Sequence, residues 1–476
     1  MTCRFLLGSL LCLPLAVQAA EVVNTPALNF ADARTLVHSR ADALKMTAAE
    51  TAHREHAAQS ARSLRGPKVT LDVKQMWGRK TMDFGTLSLP NPAASLAPVL
   101  GQMLPPQQLG QLAGLASPTI SMPLSMTDDL SGPRATAAFQ MPLFTGGAIT
   151  AKIAASDAAV YESRADERVK RDELDARLAH TYFGVQLARS VERLRADMLE
   201  QEEKELSRAE RFEKTGMISR IERMSVQVNR DAAKRELLAA VTDRTVAETE
   251  LSRLMHEAAV DRLDTSLFVV TKSLGTLDEW QQKALAHSPV LRSIQAKMQM
   301  ADQGVAAAKA AWWPQIYAFG QGNLIDHYLS LTEPDWVAGI GMKITLWDNK
   351  DRNASVASAR SLVTKAQAAR DEAVNQLATK VETAYLRTEQ ARHQYYLTLS
   401  TIDLARENLK LREKSFAEGL STATDVSQAR TQLVGAEIAR RVAAYRFVVS
   451  WAMLHAVTGT MDEFVLSAND HSNIFE

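Results

Sequence analysis

Apolar and polar residues alternate with a period of two in four short segments of this chain, which is the pattern of half-buried β-strands. In one segment the apolar residues from Trp336 to Leu346 occupy every second position, with small or polar residues between most of them. In another, Lys68–Lys74, the apolar residues fall on the odd positions only. The pattern predicts strands at about 67–78, 136–144, 314–322 and 336–347.

A long proline-free tract follows each pair of predicted strands, over residues 143–288 and 335–476. Proline breaks helix interiors because it lacks an N–H donor and clashes with the preceding turn, so these tracts can hold long helices. Apolar residues of the first tract recur at coiled-coil spacings of four and three, at Leu187, Val191, Leu194 and Met198. We expect helices at about 147–215, 219–256, 350–418 and 422–458, the first of them roughly 100 Å long.

The same order of elements occurs twice along the chain. At a constant offset of 203 residues, Leu143-Phe144 matches Leu346-Trp347, and the segment Gly216–Glu222 matches Gly419–Asp425. Upstream, at an offset of 247, Pro67 matches Pro314. The duplication predicts two structural repeats, 20–272 and 273–476, in a pseudo-symmetric and mainly α fold.

The N-terminus predicts export of the chain. Residues 1–19 contain one positive charge, an apolar run and a small-residue end, which is the pattern of a secretory signal peptide. Both cysteines, Cys3 and Cys12, lie in this leader, and the bulky residues before Cys12 argue against a lipid anchor there. The charge is balanced, with 55 basic and 55 acidic residues, so nothing favours a nucleic-acid partner.

Export changes the interpretation of the alternating strands. They could form a half-buried sheet in water, but the aromatic residues at their ends favour strands that face lipid, as in transmembrane barrels. These aromatic residues are Trp77, Trp312, Trp313, Trp336 and Trp347. Four strands cannot close a barrel and open edges are not tolerated in lipid, so the chain is expected to oligomerise. Two copies would give eight strands with a filled interior, and three copies would give twelve strands with an open lumen.

Each pair of long helices turns at a repeated tip, Gly-x-x-Ser/Thr-x-x-Glu/Asp. Gly216 and Gly419 suit the left-handed residue that ends a helix. Two capping boxes are expected to begin the returning helices, one formed by Ser219 with Glu222 and one by Thr422 with Asp425. In a symmetric oligomer the tips would gather near the axis, and the two acids would then form acidic rings at an aperture.

Residues 80–134, between the first two strands, have two interpretations. The segment holds eight of the fifteen prolines, many Leu, Ala and Met residues, and few charges. It is either a loose surface loop or an apolar segment that caps or lines the outer mouth. The matching loop in the second copy, Asn323–Pro334, is only a dozen residues long.

No catalytic constellation is present in the sequence, and no enzyme activity, cofactor or metal is expected. The chain has no glycine-rich phosphate loop and no Ser/His/Asp signal. His53 and His56 are spaced like metal ligands on a predicted helix, but the charged residues between them are typical of a solvated face.

Several of these junctions resemble those of the TolC-like outer-membrane efflux proteins of Gram-negative bacteria, over essentially the whole mature length. The resemblance is carried by Pro67, Pro314, the strand-to-helix junctions Pro142–Gly147 and Leu346–Asn349, and the second tip, Phe416–Val426. It implies a homotrimer in which four strands per protomer complete a twelve-stranded transmembrane β-barrel on a long α-helical coiled-coil tunnel. It also implies outer-membrane lipid around the barrel, and a periplasmic adaptor and an inner-membrane pump that dock at the tips. Segments 257–273 and 461–476 would form a belt around the tunnel.

The resemblance also assigns roles at the tips. The family's aperture acid matches Asp425, its acidic partner on the first tip matches Glu222, and its restraining aromatic residue matches Phe416. Adaptor contact is implied for the tip turns, namely Gly216, Ser219, Gly419, Leu420, Ser421 and Thr422. The chain departs from the pattern at Gln428, Ser421 and Phe416, where the family can carry an acid, a base and a tyrosine. Arg220 and Arg223 are alternative candidates for ion pairs across the tips.

The leading hypothesis is therefore a passive outer-membrane exit duct of a tripartite efflux or type I secretion system. The alternative is a periplasmic coiled-coil adaptor or scaffold, which also carries long helical hairpins. Adaptors usually have one hairpin in a β-rich flank and need no lipid-facing strands. The exported substrate, the pump and the adaptor are not legible from the sequence.

Overall fold

A computed structural model of the chain describes residues 27–96, 98–99, 102, 117–129, 131–257, 262–325, 333–470 and 472–475. The predicted leader at 1–19, with its two cysteines, lies outside these residues. Across the described ranges, no helix combines the length and the apolar character of a membrane span.

The helices form two matching sets followed by one further helix. In the first copy they are α1 Phe30–Arg40, α2 Asp42–Ser63, α3 Ala148–Lys214 and α4 Arg220–Met255. In the second copy they are α5 Leu277–His287, α6 Pro289–Ala310, α7 Arg352–Ala417 and α8 Ala423–Thr458, before α9 Met461–Ala468. Matched helices differ in length by at most one residue, as in the 67 residues of α3 and the 66 of α7. The duplication seen in the sequence is therefore a duplication of structure.

The chain divides into two compact units, and each unit takes segments from both copies. One unit comprises residues 54–160 and 297–366 and contains a four-stranded sheet. Its strands, all antiparallel to their neighbours, lie in the order β1 Lys68–Met76, β4 Gly132–Phe144, β6 Gln315–Asn323 and β7 Trp336–Lys343. The fourth strand ends at Lys343, earlier than the alternation predicts.

The same unit contains a second sheet, formed by residues of the segment 80–134 for which a loose surface loop was one of the two interpretations. Strands β2 Arg79–Pro90 and β3 Thr119–Asp129 pair with each other as an antiparallel hairpin. The expectation of a loose surface loop at 80–134 is therefore wrong for these residues. Prolines at positions 90 and 123 are compatible with this hairpin because each strand of a two-stranded ribbon is an edge strand. Residues 97, 100, 101 and 103–116, which lie between these two strands in the sequence, are outside the described part of the chain.

The other unit comprises residues 27–53, 161–296 and 367–475 of the described chain and contains an aromatic core. Phe30 stacks on Phe183 with ring centroids 5.5 Å apart, and its ring edge meets Tyr182 at the same distance. Tyr182 and Phe183 are fully buried, and the hydroxyl of Tyr182 donates a hydrogen bond to the carbonyl of Leu28 at 2.7 Å. Truncating a buried aromatic residue to alanine typically costs about 3–5 kcal/mol.

The two segments that interrupt the helical pattern, 257–273 and 461–476, meet beside this core. The short strand β5 Phe268–Val269 pairs with β8 Ile474–Phe475, while Phe464 of α9 packs edge-on against Phe30. Residues 258–261 of the first segment lie outside the described residues. The belt itself stays a prediction.

Towards the tips, the second copy packs on the first. Met198 of α3, which the sequence places in a coiled-coil seam, is buried in a small apolar cluster with Ala233 of α4 and Val434 of α8. Leu194 of the same seam packs against this cluster. The returning helix of the second copy is thereby held against the long helical pair of the first.

Candidate functional site

The two helical tips have the same backbone geometry. Gly216 and Gly419 have φ values of 71° and 76°, in the left-handed region that glycine adopts without a steric penalty. The next N–H groups, of Met217 and Leu420, each donate to a carbonyl five residues back at 2.8 Å. Each long helix therefore ends in a Schellman motif that satisfies its last carbonyls.

Both capping boxes expected from the sequence are present. Ser219 and Thr422 accept hydrogen bonds from the backbone N–H groups of Glu222 and Asp425, each at 3.2 Å. In return the Glu222 carboxylate accepts from the Ser219 N–H at 2.8 Å, and that of Asp425 accepts from the Thr422 N–H at 2.9 Å. Each capping box therefore begins the returning helix directly after the turn.

The Asp425 carboxylate is the more strongly bonded of the two acids. Besides the Thr422 N–H, its Oδ2 accepts from the Thr422 hydroxyl at 2.8 Å and from the Ser421 hydroxyl at 3.1 Å. Hydrogen bonds from Thr422, first from its backbone, and then from Ser421 lower the pKa of Asp425 below its usual range. The carboxylate therefore stays ionised at neutral and mildly acidic pH, and its capping contribution is lost only as pH falls through the lowered pKa.

The remaining tip candidates differ in their exposure. Leu420 is 78% exposed, Gln428 is exposed, and Phe416 is half-buried. Ser421, where the family can carry a base, instead contributes a hydroxyl to Asp425. Among the described residues no hydrogen bond or ion pair joins Glu222 to Asp425, so each acid is held within its own tip.

A buried polar cluster near the tips was not found from the sequence. The Glu202 side chain of α3 is fully buried and accepts a hydrogen bond from the Ser427 hydroxyl of α8 at 3.0 Å. Arg430 lies 3.6 Å from the same carboxylate oxygen, and its other terminal nitrogen donates to Glu413 of α7 at 3.1 Å. We call Glu202, Ser427, Arg430 and Glu413 the inter-repeat cluster, because it joins the first copy's long helix to both tip helices of the second.

Burial dominates the electrostatics of the inter-repeat cluster. It raises the pKa of Glu202, and the hydrogen bond from Ser427 and the charge of Arg430 oppose that shift. A buried carboxylate that depends on one cation and one hydroxyl is costly to leave unpaired, so both partners stabilise the packing of the tip helices.

Arg223, one of two arginines considered for pairs across the tips, also has a partner. Its Nε lies 2.9 Å from a carboxylate oxygen of Glu213, so the pair joins α3 to α4 within the first tip. Both side chains are largely buried, with 19% and 31% exposed. The first tip is therefore fixed by its own ion pair, in addition to its capping box.

Replacing Gly419 by alanine should destabilise the second tip by about 1–2 kcal/mol, the cost of a left-handed conformation for an L-residue. No atom lies within 4 Å of the Cβ position, so the effect is conformational and not steric. Gly435 of α8 is the matched control, because its Cβ position is equally open and its backbone is helical. Gly435→Ala should stabilise by about 0.5–1 kcal/mol. Thermal unfolding of the two variants in detergent tests the opposite signs, and equal shifts would contradict them.

The four-stranded sheet has one apolar and one polar face. Directly opposed residues in antiparallel strands share a face, so Val69, Phe139, Gly320 and Ala338 lie together across all four strands. The rest of this face is apolar or glycine along most of its length: Leu71, Val73, Ala137, Met141, Ile316, Ala318, Gly322, Trp336, Ile340 and Met342. The apolar faces that alternation assigned to the second and fourth strands therefore coincide.

The opposite face carries most of the polar residues of the sheet, together with Tyr317, Phe319 and Val337. Thr136 is paired with Asn323, and its hydroxyl donates to the Asn323 side chain at 3.0 Å. The other polar residues of this face are Lys68, Thr70, Asp72, Lys74, Arg134, Gln140, Gln315, Gln321 and Lys343. In the described part of the chain, β1 and β7 are each paired on one side only. The sheet is thus an amphipathic strip with two open edges.

The aromatic residues at the strand ends are exposed. Trp77, Trp336 and Trp347 are 78%, 72% and 85% exposed. Exposed tryptophans that flank an apolar face are typical of strands that cross a lipid bilayer. His53 and His56 are also exposed, on α2, and no group of three metal-ligating side chains is assembled within the described residues.

Comparisons with known proteins agree with this geometry. A family model described as outer membrane efflux protein matches residues 35–256 and 280–460. The alkaline protease secretion protein AprF of Pseudomonas aeruginosa is 24% identical over 310 residues, covering 63% of this chain and only 64% of AprF. The outer membrane protein VceC of Vibrio cholerae aligns with a TM-score of 0.69 at 14% identity, over 91% of this chain and 96% of VceC. The open MtrE outer membrane channel of Neisseria gonorrhoeae aligns with a TM-score of 0.66 at 17% identity, over 91% and 89%.

Proposed function

The chain belongs to the outer membrane efflux protein family and is an outer-membrane protein, and we propose that it acts as the passive exit duct of a tripartite export system. Its role is to conduct substrates that an inner-membrane pump delivers, with a periplasmic adaptor joining pump and duct. The pump supplies the energy, and the duct supplies a path through the outer membrane.

The amphipathic sheet with two open edges is the observation that carries this proposal. Its apolar face suits lipid, its polar face suits a water-filled lumen, and its edges β1 and β7 need partners because unpaired backbone groups are costly in lipid. Neighbouring copies of the chain can supply those partners. Two copies would complete eight strands, whose interior is filled by side chains, whereas three would complete twelve strands around a lumen. A duct therefore requires the trimer.

The helical tips are proposed as the periplasmic aperture and the adaptor-docking site. Around a three-fold axis, Asp425 and Glu222 would each form a ring of three carboxylates, which attracts cations. Phe416 is proposed as the residue that restrains the closed tip. Leu420, with Gly216, Ser219, Gly419, Ser421 and Thr422 of the turns, is proposed to contact the adaptor, since its apolar side chain is exposed at the end of the hairpin.

The cargo is proposed only at the level of class. AprF is named for the secretion of a protease, which supports a polypeptide passing through a type I secretion system as one option. MtrE and VceC share the fold but leave the cargo open. The alternative of a periplasmic adaptor is disfavoured by the duplicated hairpins. It is also disfavoured by the apolar sheet face, because an adaptor in the periplasm has no lipid to cover such a face.

Neutralising both aperture acids should weaken cation block of the duct. In planar bilayers, Glu222→Gln with Asp425→Asn should reduce the affinity for a trivalent lanthanide by roughly tenfold or more, because six carboxylates per trimer lose their charge. Gln and Asn keep an acceptor at the third helical position, so the helices should remain capped. Glu418→Gln, at an exposed acid beside the second tip, is the matched control. Unchanged block in the double variant would leave the two acids as helix caps only.

A further inference from the structure

The hairpin of β2 and β3 is amphipathic, although both of its faces are exposed in the protomer. Three opposed pairs define its apolar face: Met82 with Met126, Leu87 with Met122, and Leu89 with Ile120. Leu124 shares this face, because it lies two residues from Met122 on the same strand. Met122 is 56% exposed and Leu124 is 51% exposed, so the described residues of the protomer leave this surface open. The seven residues are called the apolar hairpin face below.

A β-bulge keeps this face continuous. The register shifts between Asp83 and Thr86, where β2 carries one residue more than β3. Gly85 in the bulge has a φ of +83°, which favours glycine. If β2 ran through these residues as a regular strand without the bulge, Leu87 and Leu89 would lie on the opposite face from Met82, since side chains alternate along a strand. The bulge therefore shifts the alternation by one residue. As a result, the large apolar side chains of the three opposed pairs all lie on one face of the hairpin.

The other face of the hairpin suits water. Its residues are mainly hydroxylated or acidic: Thr81, Asp83, Thr86, Ser88, Thr119, Ser121, Ser125, Thr127 and Asp129. The hydroxyls of Thr81 and Thr127 face each other across the two strands, 3.4 Å apart. A hairpin lying on lipid or on another protein by its apolar side would leave this side solvated.

The hairpin continues the register of the membrane sheet but exchanges its faces. Met76 pairs with Gly132 in the sheet, and Arg79 pairs with Asp129 in the hairpin, so both strands advance by three residues between the two ladders. Along a strand with no inserted residue, all odd-numbered residues lie on one face and all even-numbered residues lie on the other. The sheet carries its apolar residues at odd positions of β1, whereas the hairpin carries Met82 at an even one. If side chains keep alternating through Trp77 and Gly78, which join the two ladders, the apolar hairpin face lies on the side that is polar in the sheet.

This exchange of faces identifies what covers the apolar hairpin face. If the polar side of the sheet faces the lumen, as the proposed function requires, the apolar hairpin face points towards the axis of the oligomer and away from lipid. The surface it meets there is the same face of neighbouring copies. Three hairpins contribute six strands, fewer than the eight at which side chains already fill a barrel interior. Converging hairpins would therefore form a packed core.

We propose that the apolar hairpin faces of three copies pack against one another above the barrel and form a β-cap over its outer mouth. The occupant of each face is a second copy of this chain. The inference rests on the proposed trimeric duct, and adds a closure at its outer mouth. The first copy alone carries this closure, because the corresponding loop of the second copy is only a dozen residues long.

Cysteine cross-linking in whole cells tests the cap. In a Cys3→Ser, Cys12→Ser background, Met122→Cys lies on the apolar hairpin face, and Ser121→Cys lies next to it on the polar face. Thiols held face to face have a high effective concentration, so oxidation should give at least about tenfold more disulfide-linked dimer for Met122→Cys than for Ser121→Cys. Equal cross-linking of the two variants, or none, would overturn the cap.

Two further readouts separate the outcomes. The same membranes are extracted and assayed for a detergent-stable oligomer. An oligomer without the Met122→Cys cross-link would contradict the cap but not the duct. Absence of any oligomer would contradict the duct itself. A fluorophore on Met122→Cys is also tested with brominated lipids. Quenching stronger than at Ser121→Cys would assign the face to lipid and overturn the proposal, and equal weak quenching supports it.

Discussion

Replacing Arg430 by methionine is expected to destabilise the protein by about 3 kcal/mol, because it leaves the Glu202 carboxylate buried without its cation. The side chains of Arg430 and Glu202 are 9% and 0% exposed, so water cannot take over the role of the guanidinium. Burial already raises the pKa of Glu202, and uptake of a proton by the unpaired acid limits the loss to the lower end of the range for broken buried pairs. The measurement is the unfolding midpoint in detergent.

Two companion variants show whether the loss comes from the buried charge. Glu202→Gln with Arg430→Met removes both charges and should recover most of the stability. Arg406→Met is the matched control, because Arg406 also pairs across α7 and α8, with Glu437 at 3.9 Å, but is 61% exposed. Exposed pairs are worth about 0–1 kcal/mol. A loss for Arg406→Met as large as that for Arg430→Met would show that any cationic pair matters equally here.

The inter-repeat cluster also predicts a change in conduction. Arg430 connects α8 to α3 and α7, so its loss weakens the attachment of the second tip to the first copy's long helix. We expect Arg430→Met to raise single-channel conductance in planar bilayers, with the double variant intermediate. Unchanged conductance in a destabilised Arg430→Met protein would make the cluster structural only.

Replacing Asp172 by asparagine is expected to stabilise the protein by up to about 4 kcal/mol above pH 7, and to have little effect near pH 4. Burial, and then the charge of Asp175, raise the pKa of Asp172 to about 7 from 3.8, at about 1.36 kcal/mol per unit. Asp175 itself pairs with Arg34 at 2.8 Å and contacts His38 Nε2 at 2.5 Å. Asp172 Oδ2 makes no hydrogen bond to a described residue.

The sign of this pH dependence follows from proton binding. Between pH 4 and 7 the folded state holds the Asp172 proton more tightly than the unfolded state, so the contribution of Asp172 to the stability of the wild-type protein falls as pH rises. The asparagine variant lacks this proton, so its advantage should grow over the same interval and then level off. Asp166→Asn, at an exposed acid on the same helix, should stay within about 0.5 kcal/mol of wild type. An Asp172→Asn advantage that is equal at pH 4 and pH 8 would contradict this account.

The sequence was sufficient for features that depend on local pattern. The helix bounds follow from proline placement and from the two offsets, and the tip turns follow from Gly419 and its counterpart with their capping residues. Alternation together with the 203-residue offset placed Phe139 and Met342 on one face, because side chains on a strand alternate whatever the strand pairs with.

Features that depend on tertiary pairing were not accessible in the same way. Glu202 lies in the acidic run Glu200–Glu205, which has the composition of a solvated flank, and only the packing of α8 buries it. In the hairpin, the bulge at Gly85 moves the apolar positions from even to odd numbers, which breaks the period-2 pattern in the sequence. The prolines of the segment conceal the strands further, because proline is rare inside larger sheets.

Oligomerisation is the central claim, because each structural repeat contributes strands that are too few to close a barrel. The most direct test is the mass of the mature protein extracted from outer membranes in mild detergent, measured by light scattering with the detergent contribution subtracted. The account predicts three copies of the chain in one stable particle. A particle of one or two copies, or a protein that remains in the soluble fraction as a monomer, would contradict it.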